Sequence, residues 1–438
     1  MDQEPSEQRY DPAAEVVGIC QDLIGIDTSN YGDSSGPGER KAAEYVAAQL
    51  AEVGIEADMI EAAPGRANVV ARWGDHSGGQ PPLLVHGHLD VVPARADDWT
   101  LPPFAAEISD DYLYGRGAVD MKDFDAMVLS TVRARQRAGV PPKRPVVLVF
   151  TADEEAGSGY GGHYLVDHHA DLLADCTEAI GEVGGFSADI AGQRLYVIES
   201  GEKGLAWMRL TAEGAAGHGS MRHPDNAVTA IAAAVAAIGA YEWPVEPGPS
   251  MRQLLAKVSE LTGIDGERTD DLLAAFGPAA RMIGAGLCNT TNPTMLSAGY
   301  KVNVVPGSAE AHVDGRYLPG DADTFVDQVR AIAGDHITVE AQSFQPALEI
   351  GFEGDLVDAM TAALHAEDPD AHIAPFLMSG GTDAKAWARL GIRSYGFTPL
   401  RLPADLDFTA LFHGVDERVP LDALAFGARV FDRLVDLA

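Results

Sequence analysis

Hydrophobic and polar positions follow two different rhythms along this chain, and the switch between them divides it. In residues 37–54, Ala42, Val46, Leu50 and Val53 recur at helical spacing and Gly54 closes the run. Residues 13–26 read as a helix ahead of it. The segments 68–73 and 82–88 are short and rich in valine or leucine, as strands buried on both faces tend to be. Helix 121–138, strand 145–150, helix 161–169 and strand 178–181 continue the alternation, which predicts α/β layering around a mainly parallel sheet.

Near Leu195 the rhythm changes. Residues 204–212 alternate like a half-exposed strand, 226–241 form a strong helix, 251–261 and 270–283 are amphipathic helices, and 295–300 and 309–317 are alternating strands. From Asp321 the α/β texture returns, with strand 336–342, helices 354–365 and 382–390, strand 394–397 and a last helix 421–437. The simplest organisation is one domain interrupted by another. Residues 13–203 and 318–438 form the larger domain around an inserted helix-plus-antiparallel-sheet module at 204–317, and a chain of 438 residues suits two domains.

Composition narrows the function more than the fold. A net charge of −35 repels phosphate backbones and anionic lipid surfaces, so nucleic-acid and membrane partners are disfavoured. Cys20, Cys176 and Cys288 are odd in number and far apart, with no disulfide framework. Residues 1–15 lack the cationic start and apolar stretch of a secretion signal, and the Ala-rich window 227–240 is too short to span a bilayer. A cytoplasmic protein is expected.

The chemistry lies at the element ends. Residues 83–93 read LLVHGHLDVVP. Side chains two apart on a strand share a face, so His86, His88 and Asp90 point the same way, and an Asp beside a metal-bound His can accept its second N–H. Spacing leaves open which histidine is the ligand, and an isolated HxD is more often structural. Residues 112–122 (YLYGRGAVDMK) put Asp120 just ahead of a helix, where Asp also serves as an N-cap. Residues 145–159 (PVVLVFTADEEAGSG) put three acids at the carboxyl end of a buried strand, where α/β sheets place their ligands. Glu154 and Glu155 leave in different directions, so one can bind metal while the other faces the substrate as base. Glu182 follows another strand in AIGEVGGF, and His413 precedes the last helix in LFHGVDERV. Each signal is weak alone; their joint placement at strand ends and helix starts argues against coincidence.

The ordered set GHLDVVP, GRGAVDMKD, FTADEEAGS, GEVGG, GHGS, NVVPGSAEAHVDGR, SGGTDA and FHGVDERV resembles the co-catalytic zinc hydrolase family. That family includes glutamate carboxypeptidase, acetylornithine deacetylase, succinyl-diaminopimelate desuccinylase, aminoacylase and several bacterial dipeptidases. The likeness runs from about Ala13 to the C-terminus. It implies a zinc-peptidase-like α/β catalytic domain with a mainly parallel central sheet, interrupted by a smaller α+β lid and dimerisation domain. It also implies two Zn2+ per chain, with Co2+ or Mn2+ as substitutes. In that scheme His88 and Glu182 hold one ion, Glu155 and His413 hold the other, and Asp120 bridges them. Asp90 orients His88, Glu154 is the general base, and His86 is left as a packing or outer residue. His218 in GHGS resembles the lid histidine that stabilises the oxyanion, often across a homodimer interface. Arg316 and the turn Gly380, Gly381 and Thr382 resemble groups that hold the free carboxylate of a small substrate, a role suited to a guanidinium fork and to helix-start N–H groups.

The reaction so implied is cleavage, by a metal-activated water, of the amide bond of an N-acyl amino acid or the C-terminal peptide bond of a small peptide. A dipeptidase is the alternative, with a carbamoyl-amide hydrolase or a catalytically silent homologue further off. Glu182, rather than Asp, tilts the likeness toward deacylases and carboxypeptidases. Two departures stand out. Asp123, Phe124 and Asp125 replace glycines that often follow DMK, and His223 and Asn226 flank His218 closely enough to share its role.

Overall fold

The computed structural model describes residues 10–33 and 35–438. Its larger sheet has ten strands, and alternation along them shows why they are buried on both faces. Val146, Leu148 and Phe150 join a core shared with the helices Val16–Gly25, Lys122–Ala138 and Leu421–Leu437. Val147 and Val149 point the other way, into a second core with Leu84, Leu165 and Trp387. The strands Val146–Thr151, Leu83–His88, Glu178–Gly181 and Arg393–Gly396 pair in parallel, so their carboxyl ends open along one edge.

The sheet is mixed rather than mainly parallel. The hairpin of Ala57–Ala63 and Arg66–Trp73 adds antiparallel strands on one side. Phe186–Ile190 and Leu348–Glu349 run antiparallel to Gln193–Glu202 on the other. The edge strand Ala57–Ala63 has no fully buried residue, so no apolar run announced it in the sequence.

A second sheet has four antiparallel strands in the order Thr290–Ala298, Ser308–Tyr317, Gly204–Glu213 and Ile337–Gln345. Ala206, Met208, Leu210 and Ala212 pack on the side of the helices Ala227–Gly239 and Ala322–Ala333. The opposite face carries Trp207, Arg209, Asp314 and Arg316.

Two features differ from the boundaries expected. Closing the inserted module at Tyr317 leaves this sheet one strand short, because Ile337–Gln345 pairs along Gly204–Glu213. The amphipathic helices at 249–287, expected inside the module, pack instead in the larger core through Met251, Leu254, Val258, Leu272, Phe276 and Leu287. An apolar helix stripe records that a face is buried but not against which sheet. Among the described residues no helix is long and apolar enough to cross a membrane.

Candidate metal and catalytic site

The parallel strands deliver the site. His88 ends one strand, the acids 153–155 follow the next, and Glu182 follows the third. Asp120 stands ahead of the helix Lys122–Ala138 without capping it, since the helix start has no side-chain cap. His413 comes from the loop before the strand Arg418–Pro420. Asp153, Val183 and His413 all have left-handed backbone, with φ of 65°, 56° and 58°. Such geometry costs roughly 1–2 kcal/mol per non-glycine residue, and all three lie at or beside the converging groups, where packing can hold strain in place.

The side chains meet through one carboxylate. His88 Nε2 lies 3.1 Å from Asp120 Oδ1 and 3.3 Å from Glu182 Oε2. His413 Nε2 lies 3.2 Å from Asp120 Oδ2 and 3.1 Å from Glu155 Oε2. Each oxygen of Asp120 therefore faces one histidine, which in turn meets one further acid, and the two groups adjoin, since His88, Asp120 and Glu155 also lie within 4.8 Å of one another. Ligands at zinc bond lengths of about 2.0–2.1 Å in a tetrahedron lie about 3.3 Å apart, and the four histidine–carboxylate distances are of that size. The donor chemistry agrees. His88 Nδ1 is 2.9 Å from the Asp90 carbonyl, which can only accept, so that nitrogen carries the proton and Nε2 turns toward the carboxylates. The five acids Asp90, Asp120, Glu154, Glu155 and Glu182 outnumber the histidines His88 and His413, and the surplus suits two divalent cations.

The same crowding shifts the titrations. Burial alone would lower His88, but the Glu182 charge and the contacts with Asp120 and Glu182 hold it well above its ordinary value. Hydrogen bonds to Asp120 and Glu155 raise His413 to about 10. Burial pushes Glu182 up to about 7. Burial, followed by the charge of Glu182, raises Glu154 well above the carboxylate range. Glu154 lies within 4.8 Å of His88 and Glu182, yet its side chain makes none of the short contacts that join His88, Asp120, Glu155, Glu182 and His413.

Asp90 departs from its expected role. Its carboxylate is 3.6 Å from His88 Nδ1, and its own backbone carbonyl takes that N–H. The carboxylate instead accepts from the backbone N–H of Glu154 (3.0 Å) and Glu155 (3.1 Å) and from Asn30 Nδ2 (2.9 Å), so it fixes the turn that aims both acids. His86 is a packing residue, edge-on to Trp387 with ring centroids 5.7 Å apart. Asp123 and Asp125 are buried with no hydrogen-bond partner on any carboxylate oxygen, and neither joins the cluster.

The remaining candidates lie elsewhere. His218 is exposed on the smaller module, in a short bridge to Val304. Its Nδ1 lies 2.8 Å from the Ser220 hydroxyl and 3.3 Å from the Ser220 N–H, which donates to it, so Nε2 is the ring nitrogen left to donate elsewhere. His223 donates to the His218 carbonyl at 3.0 Å, and Asn226 Oδ1 caps the helix Ala227–Gly239. Arg316 holds Asp314 through Nε (2.7 Å) and Nη2 (3.1 Å), leaving Nη1 free of that pair. Thr382 is closed to an outside anion, because its N–H and hydroxyl both donate to the buried Glu202.

Three supporting residues escaped the sequence reading. Asn30 links Asp90 to Asp153. Glu417 accepts from the Gly117 and Val119 N–H groups and from Arg116, fixing the loop that leads to Asp120. Asp383 accepts from Thr151 Oγ1 at 2.6 Å, behind the acid run. Glu417 and Asp383 stood inside quoted motifs as a possible signal, whereas nothing about Asn30 marked it.

The chain is similar to known proteins along most of its length. Residues 84–437 match Peptidase family M20/M25/M40. A probable carboxypeptidase S-like 2 of Dictyostelium discoideum is 28% identical over 379 residues, covering 81% of this chain and 71% of that protein. Aminoacylase-1 of Pongo abelii is 25% identical over 398 residues, covering 88% and 86%. The crystal structure of an M20 family metallo-carboxypeptidase, Sso-CP2 from Sulfolobus solfataricus, superposes with a TM-score of 0.73 at 20% identity, covering 97% of this chain and 99% of that one.

Proposed function

Because the chain belongs to Peptidase family M20/M25/M40, and so is a metallopeptidase or amidohydrolase, we propose that it cleaves the amide bond of an N-acyl amino acid or the C-terminal peptide bond of a small peptide. The observation that carries this reading is Asp120, whose two oxygens face one histidine each at 3.1 and 3.2 Å. His88, Asp120 and Glu182 would hold one ion and Asp120, Glu155 and His413 the other. Zinc suits these nitrogen and oxygen donors, with cobalt or manganese as substitutes. When bound, the pair supplies Lewis acidity toward the scissile carbonyl and acidifies a water.

The chain's own residues do the rest. Glu154, buried beside Glu182 and therefore raised in proton affinity, takes the water's proton and returns it to the leaving amine. Asp90 holds Glu154 in place through the backbone N–H bond. His218 presents Nε2–H to the developing oxyanion, delivered by closure of the smaller module or by a partner subunit. Arg316, through its free N–H groups, and the Gly380–Gly381 backbone hold the substrate carboxylate; Thr382, committed to Glu202, supports that turn instead of binding. Homodimer formation through the smaller module is supported by its exposed edge strand, Thr290–Ala298, where Met295 and Leu296 face solvent near the exposed Tyr300 and Val302.

The test is a screen of metal-loaded protein against N-acetyl, N-succinyl and longer N-acyl amino acids, dipeptides and C-terminally blocked peptides. Hydrolysis of acyl amino acids or carboxypeptidase substrates is expected. Turnover of dipeptides alone would replace this reading with the dipeptidase one, and no hydrolysis of any class would defeat it.

A further inference from the structure

The two modules are joined by four chain crossings, because the excursion at 249–287 leaves the smaller sheet and comes back to it. The first crossing passes through Lys203, between the strands Gln193–Glu202 and Gly204–Glu213. The second enters the helix Pro249–Thr262, the third leaves Ala285–Leu287 for Thr290–Ala298, and the fourth runs from Ile337–Gln345 to Leu348–Glu349. Two buried lysines bind three of these crossings together. Lys385 Nζ donates to the Lys203 carbonyl (2.9 Å) and the Pro346 carbonyl (2.9 Å), and lies 3.1 Å from Glu202 Oε2. Lys203 Nζ donates to the carbonyls of Ala285 (3.0 Å) and Cys288 (2.7 Å) and to Thr290 Oγ1 (3.1 Å). The second crossing is held by Glu349, which accepts from the Ser250 N–H at 2.9 Å.

Each ammonium has three N–H donors; Lys203 Nζ meets three hydrogen-bond acceptors, and Lys385 Nζ meets two with Glu202 Oε2 as its ion-pair partner. Full satisfaction is what makes a buried charge tolerable, and breaking such a set is far costlier than never building it. The network also reaches the proposed substrate turn. Glu202, paired with Lys385, accepts both the N–H and the hydroxyl of Thr382. A side chain at Gly381 would meet Lys385 Cε at 2.6 Å, so the glycine lets the turn lie against the lysine stem.

We propose that Lys385, with Glu202, is a positioning residue that locks the smaller module's angle and the Ser379–Thr382 turn into one unit, so that domain placement and substrate-carboxylate binding change together. The link to substrate rests on the function proposed above; the mechanical link does not.

The test compares Lys385→Met and Lys385→Arg in the full-length, metal-loaded chain. Should Lys385→Met fail to fold, the double variant Glu202→Gln/Lys385→Met, which removes both charges of the pair, takes its place. In the Met or double variant, hydrogen exchange in both crossings at 203–205 and 344–348 should rise about tenfold or more while the central strands stay protected. Metal content should remain at the wild-type value. The kcat/KM for a substrate with a free carboxylate should fall about 10²-fold, the scale of a misplacement near 1 Å, with a smaller fall for its carboxamide analogue. Lys385→Arg should restore most of each. Unchanged exchange at the crossings overturns the lock whether or not a substrate has been found, and raised exchange with equal losses for carboxylate and carboxamide overturns the coupling to the turn.

Discussion

Replacing Glu154 by glutamine separates catalysis from metal binding and from folding in a single variant. The four contacts at 3.1–3.3 Å that define the two adjoining groups use His88, Asp120, Glu182, Glu155 and His413, and none involves Glu154. The backbone N–H that Asp90 accepts at 3.0 Å survives the substitution, so both ions and the turn should stay in place. The base is lost. General-base removal costs roughly 10²–10⁴-fold, which is about 3–5 kcal/mol of transition-state stabilisation at 1.36 kcal/mol per tenfold.

Stability should move the other way. Burial and the Glu182 charge oppose ionisation of Glu154, so a neutral isostere relieves the metal-free protein and should raise its melting temperature in chelator. Elemental analysis, kcat and KM on the best substrate, and a melt with chelator measure the three quantities. Turnover within about tenfold of wild type would refute the base assignment, and loss of an ion would show that Glu154 is a ligand.

Asp120→Asn should lower the metal content after full loading from two ions toward one, because the amide offers one carbonyl oxygen where the carboxylate offers two; two retained ions would remove its bridging role. Mixing inactive Glu154→Ala chains with inactive His218→Ala chains should restore up to half the wild-type activity per heterodimer, and no rescue despite demonstrated subunit exchange would place His218 in its own chain's site or outside catalysis. Acid stability should depend on His86, which burial and then the His88 charge depress from 6.5 to about 3. The unfolded chain takes up a proton as pH falls below 6.5 while the folded chain does not, so full stability holds above 6.5 and about 5 kcal/mol drains away between pH 6.5 and 3. A His86→Leu chain should show a flatter profile over that window in chemical denaturation, and an unchanged slope would mean that His86 is hydrated or partnered when protonated.

The candidates His88, Asp120, Glu154, Glu155 and Glu182 could be singled out in the chain because each sits at a strand end or just ahead of a helix. His413, in a loop, was a weak signal, and the assignment of ligands came from the family resemblance. Val146–Thr151 is apolar on both faces and then turns abruptly acidic, so Glu154 and Glu155 stood out before any neighbour was known. The bridging geometry of Asp120 was different. A lone Asp before a helix suits a cap equally well, and only the approach of His413, nearly 300 residues away, gives its second oxygen a partner. The same holds for Asp90, whose carboxylate is claimed by the backbone of residues 64 and 65 positions on, and for Thr382, whose anion is the chain's own Glu202. Module limits failed for a related reason. The stripe on Pro249–Thr262 demands burial without naming a partner, and Ile337–Gln345 alternates the same way whichever sheet it joins. Periodicity is a property of neighbours along the chain, whereas strand pairing and shared ligands are properties of segments that meet through folding.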